Sequence, residues 1–446
     1  MAKKPQVSFV CQECGYDSPA FMGKCPECGS WNSMKEFHEA KSSSKGSDKP
    51  TALFSSGKPQ KLVESAKKEI PRMKAKSEEL NTVLGGGIVP GSVILLAGDP
   101  GVGKSTLLLQ LCLTLSEMGK TILYISGEES VEQISLRAAR VATNEKQKEN
   151  LLLLSLSDPD QAIVEIEALK PDLVIVDSIQ TMESERAGGL AGSVGQVRYA
   201  ALTFVRTAKS QQIPVILVGH VTKEGMVAGP MVLSHMVDTV LFLEGEKFTK
   251  TRILRSLKNR FGPVDEVGLF LMDENGMTDV TSPEQLFLSE VSASTPGSVL
   301  VATLEGSRAF LVEIQALVVS SRLPLPRRVV SGMDQRRVEL LLAVLQKHAK
   351  LPLDSYDVFV NVAGGLKLSD PGVDLGVCLA VYSSMKNIPL PKTVGIGEVG
   401  LLGEIRSIPS LDKRVREATK LGLTNLYTAQ DYKRLTDVIM ALEKGK

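Results

Sequence analysis

Nine consecutive residues, Gly98-Asp99-Pro100-Gly101-Val102-Gly103-Lys104-Ser105-Thr106, have the types and spacing to hold a nucleoside triphosphate. Glycines let the backbone come close to an anion, so that successive N–H groups and the start of a following helix can cradle phosphates. Lys104 would reach the outer phosphates, and the Ser105 hydroxyl is placed as a ligand of Mg2+. A plain glycine-rich turn before a helix is the alternative. The flanks argue against it: Val93 to Ala97 reads as a buried strand and Leu107 to Leu115 as a helix, the strand–loop–helix context that such a loop requires.

Acids follow at strand ends. Thr121 to Ser126 reads as a strand ending in Gly127-Glu128-Glu129-Ser130, where a carboxylate can activate an attacking water. A Glu pair before a helix can also serve only the helix dipole. Leu173-Val174-Ile175-Val176-Asp177 is an apolar strand ending in an acid that orients Mg2+. Pro214 to Gly219 is another apolar strand, and His220 at its tip is positioned to report on the terminal phosphate, though a lone histidine is most often structural. Lys258 and Arg260, two residues apart on an extended segment, point the same way and can share one anionic target; a solvated basic strand edge is the competing reading.

At the N-terminus, Cys11-Gln12-Glu13-Cys14 and Cys25-Pro26-Glu27-Cys28 form two CxxC knuckles, each followed by glycine. Four thiolates at this spacing suit one tetrahedral Zn2+ with no open coordination position, hence a structural site; a disulfide pair is the alternative. Trp31 can pack on the knuckle or stack on a base. Cys112 and Cys378 lie alone in apolar segments and read as core.

The elements that must position these groups follow from length and pattern. With 446 residues, 43% of them hydrophobic, the chain has room for about three domains. Further strands are expected at Thr239 to Leu243, Arg252 to Leu257 and Gly268 to Leu271, and apolar strands alternating with helices imply a mostly parallel α/β sheet covered on both faces. Residues 1–40 are expected to form a small zinc ribbon, 41–76 a basic flexible linker, 77–283 the ATPase domain and 284–446 an α+β domain. The linker carries ten Lys or Arg against three Asp or Glu and can also sit against a phosphate backbone. A formal net charge of +1 gives no global basic field. No apolar run reaches the roughly 20 residues that cross a bilayer, and no signal-peptide core opens the chain, so a cytoplasmic protein with no membrane role is expected.

The cysteine module, the phosphate loop, the Glu pair and above all Lys258-Asn259-Arg260-Phe261-Gly262 resemble the bacterial RadA (Sms) family, relatives of the RecA recombinase, over almost the whole chain. That resemblance implies a RecA-like ATPase forming a ring, usually hexameric, on DNA. It implies Glu128 as the catalytic glutamate, His220 as the residue coupling the terminal phosphate to DNA contacts, and segments 183–196 and 222–234 as DNA-binding loops. Lys258 and Arg260 would serve the nucleotide of a neighbouring subunit, and Arg198, Arg206 and Lys209 could extend a basic surface.

After Pro283 a new series of strands, with Gly397-Glu398-Val399-Gly400 and a helix beginning near Leu411, resembles the proteolytic domain of Lon. Its serine and lysine positions fall on Asp374 and Asp412, which cannot form an activated nucleophile, and Ser369 and Lys413 are displaced. The domain is therefore expected to be a scaffold for ring assembly and DNA binding, with Arg308, Arg322, Arg327 and Arg328 available for a basic surface. The expected activity is that of a DNA-dependent ATPase and ring helicase acting with RecA on single-stranded and branched DNA, by branch migration or D-loop extension. A Lon-like protease and an ATP-gated DNA clamp are the alternatives.

Overall fold

The computed structural model describes residues 7–11, 17–18, 20–27, 29, 31, 33–38, 71–220, 233–245, 250–264, 266–282 and 295–444. The chain divides into two compact units, the first ending at Asp279 and the second beginning at Val280.

In the N-terminal module β1 (Val7–Cys11) pairs antiparallel with β2 (Asp17–Ser18) and β3 (Met34–His38). Cys11 and Cys25 are buried with Met34, and Phe9 and Met22 pack beside them. Cys14 and Cys28 lie outside the described residues. Trp31 does not pack on the knuckle: its side chain is 72% exposed, with the Lys24 ammonium 5.6 Å from the ring centre. So small an apolar cluster has no face broad enough to cover an indole.

The large sheet of the first unit is built from β4 (Val93–Gly98), β5 (Ile122–Ser126), β6 (Leu151–Ser155), β7 (Leu173–Asp177), β8 (Val215–His220), β9 (Thr239–Glu244), β10 (Thr251–Asn259), β11 (Val267–Asp273) and β12 (Gly276–Asp279). Its order is β12-β11-β10-β9-β4-β8-β7-β5-β6. From β9 to β6 all neighbours are parallel, and β10, β11 and β12 extend the sheet antiparallel. Every residue of β4, β5 and β7 is buried, the mark of strands covered on both faces.

Alternation along these strands assigns the faces. Ile94, Leu96, Ile122 and Tyr124 pack with Leu108, Leu111 and Leu115 of α2 (Lys104–Glu117), and with Leu80 and Val83 of α1 (Glu78–Val83). Ile134 and Ala138 of α3 (Val131–Val141) join that side, and a capping box between Ser130 and Gln133 starts this helix. Val93, Leu95, Val174 and Val176 face the other way, against Ala162 and Ile166 of α4 (Pro159–Leu169) and Val197, Ala201 and Phe204 of α5 (Val194–Gln211). Residues 71–76, expected to end the linker, instead pack on this domain. Met73 exchanges backbone hydrogen bonds with Ile88, and the Arg72 guanidinium donates to Gly85 O at 2.8 Å and Phe261 O at 2.6 Å. Too few apolar residues stand there for the pattern to reveal an anchor made by main-chain bonds.

The second unit is α+β. Its strands are β13 (Ser298–Glu305), β14 (Arg308–Ser320), β15 (Arg328–Ser331), β16 (Tyr356–Val362), β17 (Thr393–Ile396), β18 (Glu398–Val399), β19 (Ile405–Arg406) and β20 (Asn425–Thr428). Six of them form the sheet β15-β16-β14-β13-β17-β20, and β18 pairs with β19. The helices are α6 (Gln335–His348), α7 (Asp374–Lys386), α8 (Leu411–Lys420) and α9 (Leu435–Lys444).

Asp374, the counterpart of a nucleophile by glycine alignment, is 1% exposed at the start of α7. Its carboxylate accepts from Arg337 Nε at 3.1 Å and from the Val399 N–H at 3.1 Å. Burial raises its pKa more than Arg337 lowers it. Asp412, Ser369 and Lys413 are exposed. Arg337→Ala is expected to destabilise this unit by roughly 2–3 kcal/mol, toward the lower end for a broken buried pair because the Arg337 side chain is 34% exposed; a melting midpoint within a degree of wild type would contradict this.

The arginines expected to make a basic surface here are largely engaged. Arg327 donates its backbone N–H to Asp357 Oδ1 at 2.7 Å and its guanidinium to Oδ2 at 3.0 and 2.8 Å, in that order of effect holding the carboxyl at a pKa of about 2, and Arg328 donates to Leu353 O at 2.6 Å. Arg308 lies over the Phe310 ring, and Arg322 is exposed.

Candidate active site

Parallel register brings the candidate residues to one edge of the sheet. Gly98 pairs with His220 across β4 and β8, and Ser126 pairs with Asp177 across β5 and β7, so the phosphate loop, both acidic strand ends and the histidine share the carboxyl edge. Gly103 precedes α2 with φ of +112°, a left-handed conformation that favours glycine, and a β-carbon there would collide with Met277. Asp99, Pro100 and Gly101 are exposed, Val102 is buried, and Ser105 and Thr106 are half-buried on the first turn of α2.

Lys104 is 4% exposed, and its ammonium donates to Gly98 O at 2.8 Å and Asp99 O at 3.0 Å. Burial lowers its pKa below that of an ordinary lysine, against the pull of Asp177, Asp99 and Glu128. Asp177 accepts the Tyr124 hydroxyl at 2.5 Å. Burial, and then the neighbouring carboxylate, keeps that phenol protonated.

The adjacent glutamates are separated in role by what holds them. Ser126 Oγ accepts from both N–H groups, Glu128 at 3.3 Å and Glu129 at 2.9 Å. Glu128 Oε1 accepts the Ser178 hydroxyl at 2.5 Å and lies 3.6 Å from His220 Nε2, inside the cluster. Glu129, also a candidate for activating the water, turns away from the cluster to an ion pair with Arg137. Burial, followed by the Lys104 charge, lowers the pKa of His220 and keeps its imidazole neutral near pH 7. Among the described residues, His220 Nδ1 and Gln180 Oε1 are buried polar atoms without a hydrogen-bond partner. A buried ammonium, two carboxylates and unsatisfied polar atoms beside exposed loop amides suit a magnesium-bound polyphosphate.

Lys258 and Arg260 are at the opposite edge. Asn259 pairs with Thr239 and Thr239 with Ile94, whereas Leu243 pairs with Gly98. Asp238 fixes the position: its Oδ2 accepts the Val93 N–H at 2.9 Å and Lys209 Nζ at 2.5 Å, and its Oδ1 lies 3.3 Å from Arg260. Five residue steps along β4 separate Val93 from Gly98, about 16 Å of extended chain. Lys258 Nζ donates to Ser234 O at 2.6 Å and Val237 O at 2.8 Å, and burial lowers its pKa.

The two cations reach one stretch of chain, Lys258 at Ser234 O and Val237 O and Arg260 at Asp238. A register shift lies between Ser256 and Lys258, and β10 ends at Asn259. Asn259 Oδ1 accepts the Phe261 N–H at 3.0 Å, Lys209 lies 5.8 Å from the Phe261 ring, and Gly262 packs so tightly on Gly85 that neither position has room for a β-carbon.

Segment 183–196 closes a cleft of about 860 Å³ with Asp158 and Asp160 at the start of α4. Buried Gln196 ties the segment by accepting from the Ser184 N–H and donating to the Ser184, Ala187 and Gly189 carbonyls, while Arg186 projects with 74% of its side chain exposed. Of segment 222–234 only residues 233 and 234 are described. Arg198 and Arg206 are exposed on α5, whereas Lys209 is taken up by Asp238. Sequence reasoning missed Asp238, Ser178, Tyr124 and Arg252. An acid opening an apolar strand, as in Asp238-Thr239-Val240, was the signal available for the first; the others carry no local signal.

A family model described as an AAA domain matches residues 60–226, and one described as a rubredoxin metal binding domain matches residues 9–36. The chain is 46% identical over 424 residues, 95% of its own length and 92% of the other's, to the DNA repair protein RadA of Halalkalibacterium halodurans. It is also 46% identical over 429 residues, with 95% and 92% covered, to the DNA repair protein RadA of Bacillus subtilis. A solved RadB recombinase structure is similar to 46% of this chain and 99% of its own, with 24% identity and a TM-score of 0.38.

Proposed function

The chain belongs to the RadA family of DNA repair proteins, and from that premise we propose that it is a DNA-stimulated ATPase motor that works as a homo-oligomeric ring, a hexamer, on recombination intermediates. The observation that carries this reading is the division of the catalytic groups between two edges of one sheet. Lys104, Asp177, Glu128 and His220 gather at one edge, while Lys258 and Arg260 stand at the other, about 16 Å away along β4, placed to serve the nucleotide of a neighbouring subunit.

In mechanism, the loop amides and Lys104 would bind the phosphates, and Ser105 and Asp177 would hold Mg2+, which when bound would supply neutralisation of charge on the phosphate oxygens. Glu128, oriented by Ser178, takes the proton of the attacking water. Lys258 and Arg260 of the adjacent chain neutralise charge on the transferring group. His220 stands beside Glu128, and its carbonyl accepts from Gln180 Nε2 at 3.2 Å, three residues before segment 183–196, which gives a route along the chain from phosphate state to DNA grip. Segments 183–196 and 222–234 hold single-stranded DNA, translocation extends or migrates branches alongside RecA, and the site of action is the cytoplasm. The C-terminal unit is a scaffold, since Asp374 is committed to Arg337.

The test is steady-state ATP hydrolysis with and without single-stranded DNA, followed by strand displacement on a forked duplex. DNA stimulation with displacement supports the motor. Hydrolysis indifferent to DNA removes the motor reading, and stimulation without displacement leaves a clamp.

Cys11, Cys14, Cys25 and Cys28 are assigned to Zn2+ within the matched ribbon. Cys11 Sγ lies 3.2 Å from Ser33 Oγ, and the buried pair of sulfurs sits in a module with almost no apolar core, as expected where metal supplies the folding energy. Chelation is expected to release about one zinc per chain. It should also change the emission of Trp31, the only tryptophan, which bridges to Lys24 between the knuckles. No release and an unchanged spectrum would remove the zinc assignment.

A further inference from the structure

The phosphate loop is held from outside by a residue far along the chain. Arg252, near the start of β10, donates from Nε to Val102 O at 3.0 Å, bridging 150 residues of sequence. Its path requires Gly245, which has no side chain; a β-carbon at 245 would overlap the Arg252 stem and guanidinium. Arg252 NH1 donates to Thr251 O at 2.8 Å, which further fixes the plane of the group.

The direction of that bond matters because the Val102–Gly103 peptide is trans and planar. In such a unit the C=O and the following N–H point in opposite directions, so a cation holding Val102 O outward turns the Gly103 N–H inward. Gly103 is the residue before Lys104, in the part of the loop whose amides form an anion cradle. Its left-handed φ is of little cost to glycine but leaves the peptide free to rotate, so the orientation needs an outside constraint. Met272 and Met277, from the same antiparallel extension, close over Gly103 and leave no room for the loop to shift sideways.

We propose that Arg252 is a positioning residue for nucleotide binding: through Val102 O it aims the Gly103 N–H at the bound phosphates, and Gly245 is the gap that admits it. The inference rests on the nucleotide-site reading above and adds a residue to it. It also gives the antiparallel edge a task at both ends, since β10 braces its own phosphate loop at Arg252 and carries Lys258 toward the other edge.

The experiment is calorimetric titration of full-length protein with Mg-ADP, for wild type, Arg252→Met, Arg252→Lys and Gly245→Ala, with the melting midpoint of each nucleotide-free chain as a companion. Arg252→Met keeps the stem and removes the donor, and is expected to weaken ADP binding about tenfold, the size of one oriented charge-assisted hydrogen bond. Gly245→Ala displaces the same guanidinium without changing its charge and should also weaken binding. Arg252→Lys retains a donor and should recover part of the loss, with melting of the nucleotide-free chains little changed. Wild-type affinity in both Arg252→Met and Gly245→Ala would overturn the proposal, as would a loss of affinity matched by a collapse of the nucleotide-free melting midpoint in all three variants. Failure of the wild-type chain to bind ADP would instead overturn the nucleotide-site reading.

Discussion

An equimolar mixture of Lys104→Ala chains and Lys258→Ala chains is expected to hydrolyse ATP although neither chain does so alone. Each variant lacks a different half of the site. Loss of a cation that stabilises the transferring phosphoryl group costs about 10³-fold or more in kcat, and loss of the phosphate-loop lysine is at least as severe. Where the intact phosphate loop of a Lys258→Ala subunit meets the intact Lys258 of a Lys104→Ala subunit, a complete site forms. Random mixing creates such a junction at roughly a quarter of interfaces in a closed ring. Arg260→Ala should complement Lys104→Ala in the same way. If subunit exchange is demonstrated and no activity returns, the two edges of the sheet do not serve one site in trans, and Lys258 and Arg260 are only the braces to Ser234 O, Val237 O and Asp238 that they make within their own chain.

Glu128→Gln is expected to lower kcat by about 10³-fold while ATP binding is retained or tightened. An amide of the same shape still meets the Ser178 hydroxyl but cannot take a proton from water. Glu129→Gln should stay within about threefold of wild type, because its carboxylate is committed to Arg137 rather than to the cluster. Single-turnover hydrolysis beside nucleotide binding separates the two effects. Equal losses in both variants would mean that the pair supports the turn before α3 and that another group activates the water.

How far the site could be read in advance depended on whether its chemistry is local along the chain. The phosphate loop, Glu128, Asp177 and His220 each follow an apolar strand, and parallel strands always bring such ends to one edge, so strand pattern and motif together located four groups of one cluster. The antiparallel extension was not legible as such. β11 is as apolar as the parallel strands, and the connections from β9 through β12, each too short for a crossover, are what mark these strands as antiparallel.

The bulge just before Lys258 was not legible either, because bulges have no fixed sequence signal. Arg252 was invisible for a different reason: its partner is a backbone carbonyl, which any residue at 102 would offer. In the second unit, glycine spacing placed Asp374 at the nucleophile position, but the partner that holds its carboxylate, Arg337, comes from a helix 37 positions earlier.

The Lys104 ammonium has a thermodynamic consequence beyond its chemistry. It is out of water, resting on the carbonyls of Gly98 and Asp99. The cost of desolvating that charge is therefore borne when the chain folds, and a bound polyphosphate returns it as heat resistance. A ligand present at 100 times its dissociation constant stabilises the folded chain by about 2.7 kcal/mol. The melting midpoint of this domain is therefore expected to rise with the concentration of a bound polyphosphate.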